Sequence, residues 1–288
     1  MSKLLCLGMG YSALAFARRM KAKGWSVTGT TRSAERARLL QEEGFETVLF
    51  DVTAGVEGDV LAGATHLLSS IPADADGDPV VRRLADDLNA HASQFGWVGY
   101  LSTTGVYGNH DGGWVDETTE TVPLTERGGR RVLAETQWMD LHRQSGLPVH
   151  LFRLGGIYGP GRNTFLMLRE GRAQRIIKPG QVFSRIHVDD IAGILNASIA
   201  HPSPGRAYNV CDDRPMPPQD IVTHAAGLLG VEPPPKIAFE DAEMSPMARA
   251  FYADSKRVSN RRVKDELGYQ FRYPTYEEGL KALLEEGL

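Results

Sequence analysis

Only two cysteines occur in the chain, Cys6 and Cys211, each within an apolar, strand-like run. That excludes a disulfide framework and fits reduced core thiols. No apolar run approaches the roughly 18 residues that a membrane span needs. A polybasic block is also missing. Lys+Arg 32 stand against Asp+Glu 36, a net charge of −4, so the electrostatic footprint of a nucleic-acid binder is not there. The N-terminal segment passes from a strand-like run, Lys3–Leu7, into a glycine loop, unlike a cleaved signal. A cytoplasmic location is therefore expected. No histidines fall at H-x-x-x-H or a similar ligand spacing, so no metal site is expected.

What is present is an ordinary globular balance, 42% hydrophobic and 24% charged, with 31 glycines in 288 residues. That is above the norm of roughly 7% glycine and points to tight turns and close backbone approaches. Apolar runs of strand length lie at Lys3–Leu7, Trp25–Thr30, Thr47–Phe50, Thr65–Ser70 and Trp97–Ser102. Helical patterns separate several of them, with Ser12, Ser33 and Asp78-Pro79 as expected starts and Gly24, Gly44 and Gly96 as stops. Such alternation predicts an α/β fold, a doubly wound Rossmann sheet of parallel strands joined by right-handed crossovers. A polar loop from Thr103 to Glu126, a helix to Gln144 and a strand at Val149–Leu154 follow. After residue 155 prolines break the rhythm. Helix-like stretches are expected at Val188–Ala200, Gln219–Leu229, Ser255–Leu267 and Tyr276–Leu283. The expected organisation is a nucleotide-binding domain over 1–155 and a smaller mixed α/β lobe over 156–288, with later segments lent back to the first.

Directly after the first strand comes Gly8-Met9-Gly10-Tyr11-Ser12-Ala13, a G-x-G-x-x-A loop opening a helix. The first glycine permits the turn, the second lets a pyrophosphate approach the backbone, and the small third residue lets helix and strand pack closely. Helix N–H groups and dipole then meet the anion. Gly8, Gly10, Tyr11 and Ser12 are thus candidate cofactor residues. At the end of the second strand, an acid would bind the ribose 2′-hydroxyl of NAD. The sequence instead has Thr30-Thr31-Arg32-Ser33. Arg32 can pair with a 2′-phosphate and Thr31 can assist, which favours NADP over NAD.

Leu101–Gly108, Arg153–Gly161 with its R-x-x-x-x-Y-G-P-G turn, Arg185–Ala192 and Tyr208–Asp213 follow one another in order. Together with the glycine loop they resemble the extended short-chain dehydrogenase/reductase superfamily, the NAD-dependent epimerase/dehydratase family, over essentially the whole chain. The resemblance implies a Rossmann domain with a C-terminal substrate lobe. It puts Asp51 and Val52 near the adenine, and Ser69, Ser70 and Ile71 along the cofactor. It further implies a Ser/Thr–Tyr–Lys set with Y-x-x-x-K spacing, in which tyrosine moves a proton while hydride moves to or from nicotinamide. Counted from the landmarks, Thr103 takes the Ser/Thr position, but Arg127 stands for the tyrosine and Arg131 for the lysine, with Glu135 keeping the later acid. A guanidinium does not give up a proton at neutral pH, so Arg127 cannot replace a phenol.

Tyr252-Ala253-Asp254-Ser255-Lys256 matches Y-x-x-x-K literally but lies in the wrong lobe and reads as a chance match. Tyr107, Tyr158 and His187 are alternative proton carriers, weighed against packing roles for each. Arg162, Arg169, Arg172, Arg175 and Arg185 cluster where the resemblance implies substrate, and Arg162 and Arg185 are the candidates for an anionic or sugar-nucleotide ligand. The expected function is an NADP-binding oxidoreductase or epimerase/dehydratase relative without the usual dyad. The alternative is a non-catalytic NADP(H)-binding sensor or scaffold. Val132, Leu133, Trp138, Met139 and Leu141 on one helix raise the expectation of a homodimer.

Overall fold

The computed structural model describes residues 2–51 and 59–287. The chain begins β1 (Lys3–Leu7), α1 (Tyr11–Ala22), β2 (Ser26–Thr31), α2 (Ala34–Glu42), β3 (Glu46–Leu49), β4 (His66–Ser69), α3 (Pro79–Ala90) and β5 (Trp97–Thr103). It continues through β6 (Trp114–Val115), α4 (Glu126–Ser145), β7 (Val149–Leu154), β8 (Gly156–Tyr158), α5 (Thr164–Arg169), β9 (Arg175–Ile177), β10 (Arg185–His187), α6 (Val188–Ala200) and β11 (Ala207–Val210). Last come α7 (Pro218–Leu229), β12 (Lys236–Ala238), α8 (Pro246–Phe251), β13 (Arg257–Val258), α9 (Arg261–Leu267) and α10 (Tyr276–Glu285).

Seven strands form a parallel sheet in the order β11-β7-β5-β4-β1-β2-β3, the Rossmann-like α/β fold expected from the alternation. Leu5 of β1 lies opposite Thr28 of β2 on one side and Leu67 of β4 on the other. The strand order therefore reverses beside β1, and the crevice at the carboxyl ends of the strands there is where open α/β sheets bind ligands.

The chain divides into two compact units. The first comprises Met1–Thr103, Gly129–Arg153 and Ile191–Tyr208. In its core, Leu5, Leu7, Leu67, Val98 and Tyr100 of the sheet pack with Leu84 and Leu88 of α3 and Trp138 of α4. Full burial of such side chains stabilises by about 1.5–3 kcal/mol each. The second unit comprises Thr104–Gly128, Leu154–Asp190 and Asn209–Leu288. Its strands pair in twos, β8 with β10, β9 with β12 and β6 with β13. One of its apolar clusters joins Tyr158, Phe165, Ile221, Tyr276 and Leu280.

Ser33 and Asp78 cap α2 and α3 as expected, accepting from Arg36 N and from Val80 N and Val81 N. Three expectations are corrected. Ser12 does not cap α1; Gly10 does, and Ser12 is buried inside the helix, because the turn at Gly8 completes earlier. Ser255–Leu267 is not one helix. Arg257–Val258 is a strand paired with Trp114–Val115, and α9 begins only at Arg261. Cys211 lies just past the end of β11 rather than within it; both cysteines are buried and unbridged.

Candidate functional site

The turn between β1 and α1 is held from two neighbouring strands. Gly8 N donates to Thr30 Oγ1 at 2.8 Å and Met9 N to Thr30 O at 2.9 Å, both at the end of β2. After β4, Ser70 N donates to Leu7 O at 2.9 Å and Ser70 Oγ donates to Gly8 O. Gly8 has φ +82°, and a Cβ there would meet Ile71 Cγ1 at 2.9 Å, so both conformation and space demand glycine. Gly10 caps α1 in extended geometry with no side-chain bond to the first-turn amides. A Cβ on Gly10 would meet nothing within 4 Å. No side chain caps the first turn at the positive end of the helix dipole, and the residues fit the pyrophosphate of a dinucleotide.

Around this turn, Tyr11 is half-buried at the start of α1, and Ser69 is fully buried with an Oγ that has no partner among the described residues. Thr31 Oγ1 accepts from Ser33 N at 3.3 Å. Arg32 is exposed and makes no ion pair among the described residues. Asp51 is half-buried, and Val52 lies outside the described residues.

The first unit also holds Thr103, half-buried at the end of β5, and Arg131 on α4. Arg131 Nη1 donates to Leu101 O at 2.7 Å and to Tyr100 Oη at 3.0 Å, with its guanidinium 5.7 Å from the Tyr100 ring centroid. Tyr100 stacks on Trp138, whose Nε1 donates at 2.9 Å to the buried Asp78 carboxyl that caps α3. One helical turn beyond Arg131, Glu135 accepts from Arg153 Nη2 at 2.7 Å and from Ser102 Oγ at 2.5 Å. This buried pair ties α4 to β5 and β7.

The remaining candidates belong to the second unit. Arg127, in the first turn of α4, is exposed. Tyr107 is fully buried and donates to Asn209 Oδ1 at 2.7 Å. Tyr158 lies in the apolar cluster, and its hydroxyl has no hydrogen-bond partner among the described residues; burial pushes the phenol up. His187 is buried, its Nδ1 accepts from Asp189 N at 3.2 Å, and desolvation lowers it to about 4, so it is neutral at pH 7. Its geometry is that of a residue fixing the entry to α6. Lys256 of the chance motif is buried, donating to Gly108 O at 2.9 Å and pairing with Asp254 at 2.8 Å, while Tyr252 packs against Phe183.

Of the arginine cluster, Arg172 pairs with Glu170, and Arg175 Nη1 donates to Pro234 O at 3.1 Å. Arg162 and Arg169 are exposed, and Arg185 is half-buried. Sequence reading missed Thr30, which anchors the glycine loop with both side chain and backbone, and the Ser102–Glu135–Arg153 set. Neither has a local signal, since the partners lie 22 and 18 or more residues away. Gly128 was also missed. A Cβ there would meet Gly105 O at 2.9 Å and Pro123 Cβ at 2.8 Å, so α4 begins in close backbone contact with the loop after β5.

A family model described as the NAD dependent epimerase/dehydratase family matches residues 7–211. Protein YeeZ of Escherichia coli K12 is 28% identical over 95% of this chain and 97% of its own. The solved structure of a functionally unknown conserved protein from Silicibacter pomeroyi is 50% identical, covers 100% of this chain and 99% of that one, and superposes with a TM-score of 0.93. A dTDP-glucose 4,6-dehydratase from Bacillus anthracis, solved in complex with NAD, shares the fold with a TM-score of 0.80 at 16% identity, covering 99% and 96% of the two chains.

Proposed function

This chain belongs to the NAD-dependent epimerase/dehydratase family, and from that membership we propose a cytoplasmic NADP(H)-dependent oxidoreductase, or sugar-nucleotide epimerase/dehydratase relative, working without the Tyr/Lys dyad. The observation that carries the reading is the glycine turn at Gly8 and Gly10 ahead of a helix that no side chain caps, followed by the exposed Arg32 where an acid would select NAD.

When bound, the nicotinamide supplies or takes up a hydride. Gly8, Gly10, Tyr11 and Ser12 hold the pyrophosphate, Thr31 and Arg32 the 2′-phosphate, Asp51 and Val52 the adenine, and Ser69, Ser70 and Ile71 the inner wall. Arg131, fixed by Leu101 O and Tyr100 Oη, keeps a cation for the ribose. Thr103 offers a hydroxyl to the reacting group. At the family's tyrosine position, Arg127 offers a guanidinium in place of a phenol, so the proton is supplied from elsewhere. Tyr107 and Tyr158, enclosed as they are, are left to packing. Arg162 and Arg185 receive an anionic small-molecule substrate.

Arg127 also supports a second reading, a non-catalytic NADP(H) sensor or scaffold, because a guanidinium stands where the family's proton-carrying phenol would be. Turnover separates the two. NADPH oxidation is assayed over carbonyl compounds and sugar nucleotides, in the unaltered protein and in the double variant Arg127→Tyr with Arg131→Lys. General acid–base catalysis contributes about 10²–10⁴-fold, so the oxidoreductase reading expects slow turnover that the double variant raises within that range. NADPH binding without turnover in either protein favours the sensor. If Arg127→Ala leaves an existing rate unchanged, Arg127 has no part in the chemistry.

A further inference from the structure

Gly29 and Thr30 are buried near the carboxyl end of β2, next to the turn that joins β1 to α1. Gly29 lies between Cys6 of β1 and Thr47 of β3 in the sheet. A glycine inside a strand weakens it and marks a place where another group approaches closely. Here that group is Met9, between the two glycines of the turn. A Cβ on Gly29 would overlap Met9 Cε and stand 2.8 Å from Sδ and 3.2 Å from Cβ. Met9 is only 3% exposed, so the space left by Gly29 is the seat that its thioether fills.

Thr30 takes both amides of the first half of the turn, Gly8 N on its Oγ1 at 2.8 Å and Met9 N on its carbonyl at 2.9 Å. Neither N–H is left for a ligand anion. Gly8 therefore serves the turn through its positive φ, +82°, and not as a donor. Thr30 is 1% exposed, so it acts only through the turn. Arg32, two residues further on, is exposed.

We infer that Gly29 and Thr30 are positioning residues for the pyrophosphate of the dinucleotide, setting its affinity through Met9 and Gly8 without touching it. The inference rests on the cofactor reading of the glycine turn. Arg32 discriminates between the cofactors, whereas Gly29 and Thr30 act on the part that NADPH and NADH share. Loosening the turn therefore weakens both cofactors equally and leaves their ratio unchanged.

ADP carries the pyrophosphate without nicotinamide, and adenosine 2′-monophosphate carries the 2′-phosphate without pyrophosphate. Both are titrated into the full chain by calorimetry, beside NADPH and NADH. Thr30→Val keeps the side-chain shape and removes the acceptor of Gly8 N. One uncharged hydrogen bond is worth about 2–10-fold, so ADP, NADPH and NADH should each weaken by that factor. Adenosine 2′-monophosphate should bind as before, and Thr30→Ser should restore ADP. Gly29→Ala should weaken ADP as well, and Met9→Ala in that background should recover part of the loss. In the ligand-free chain, the Gly8 amide should exchange with solvent faster in Thr30→Val than in the unaltered protein. ADP affinity unmoved by both Thr30→Val and Gly29→Ala overturns the inference, as does an equal loss of ADP and adenosine 2′-monophosphate. So does a Gly8 exchange rate that Thr30→Val leaves unchanged. Absence of NADPH and ADP binding to the unaltered chain overturns the cofactor reading and the pyrophosphate role with it, whereas intact binding that no variant moves overturns this inference alone.

Discussion

Asp212 is a buried acid whose partners are supplied by backbone on one oxygen only, Arg214 N on Oδ1. Its folded pKa, about 8, lies above the ordinary carboxylate value of 3.8, so the folded state binds more protons than the unfolded one between those limits. By linkage its contribution to stability is fully present below about pH 4 and is lost as pH rises through about 8. Asp212→Asn should therefore gain stability relative to the unaltered protein as pH is raised from 4 to 8, with a constant difference above. Denaturant unfolding at several pH values checks this; a pH-independent difference contradicts it. Glu135 makes the opposite case. Glu135→Gln leaves the buried Arg153 guanidinium without its counter-charge and should cost about 3–5 kcal/mol by the same unfolding measurement. The exposed position of Arg32 just after β2 was legible in the sequence because it depends only on where a local strand ends. The Glu135–Arg153 pair was not, because two polar residues 18 positions apart carry no mark of meeting.

At the scale of elements, β1, β2 and α2 and the start of α3 follow from local pattern, since period and the Ser33 and Asp78 caps lie within each segment. Where an element depends on a distant partner, pattern alone misled. Arg257–Val258 has helical spacing around it, yet it is extended because it pairs with Trp114–Val115, and Lys256 reaches Gly108 O from the same segment. The start of α4 depends on distant contact as well. Thr125 Oγ1 accepts from Gly128 N at 3.0 Å, and Gly128 leaves no room for a Cβ against Gly105 O. Gly128→Ala should cost about 1–3 kcal/mol through overpacking, against the usual gain from alanine in a helix. Gly129→Ala, where a Cβ would meet nothing within 4 Å, is the control and should be neutral or stabilising. Equal effects of the two substitutions on unfolding midpoints contradict the close approach.

For the molecule as a whole, the strand order places the turn at Gly8 beside the reversal point of the sheet, where open α/β sheets hold ligands. Association is a separate matter. On α4, Trp138 and Leu141 are buried in the core and Met139 packs against it, whereas Leu133 remains 41% exposed. We propose a homodimer through this helix; light scattering at micromolar concentration should give twice the 31.6 kDa chain mass, and Leu133→Asp should halve it. A monomeric mass for the unaltered protein removes that proposal.

The central claim, an NADP-selective dinucleotide site, is tested most directly by calorimetric titration of the unaltered protein and Arg32→Ala with NADPH and NADH. A charge-assisted contact contributes about 1.5–3 kcal/mol, so NADPH should bind roughly 10–150-fold more tightly than NADH, and Arg32→Ala should erase the difference while leaving NADH binding in place. Equal affinities for the two cofactors in the unaltered protein, or no binding of either, would contradict it.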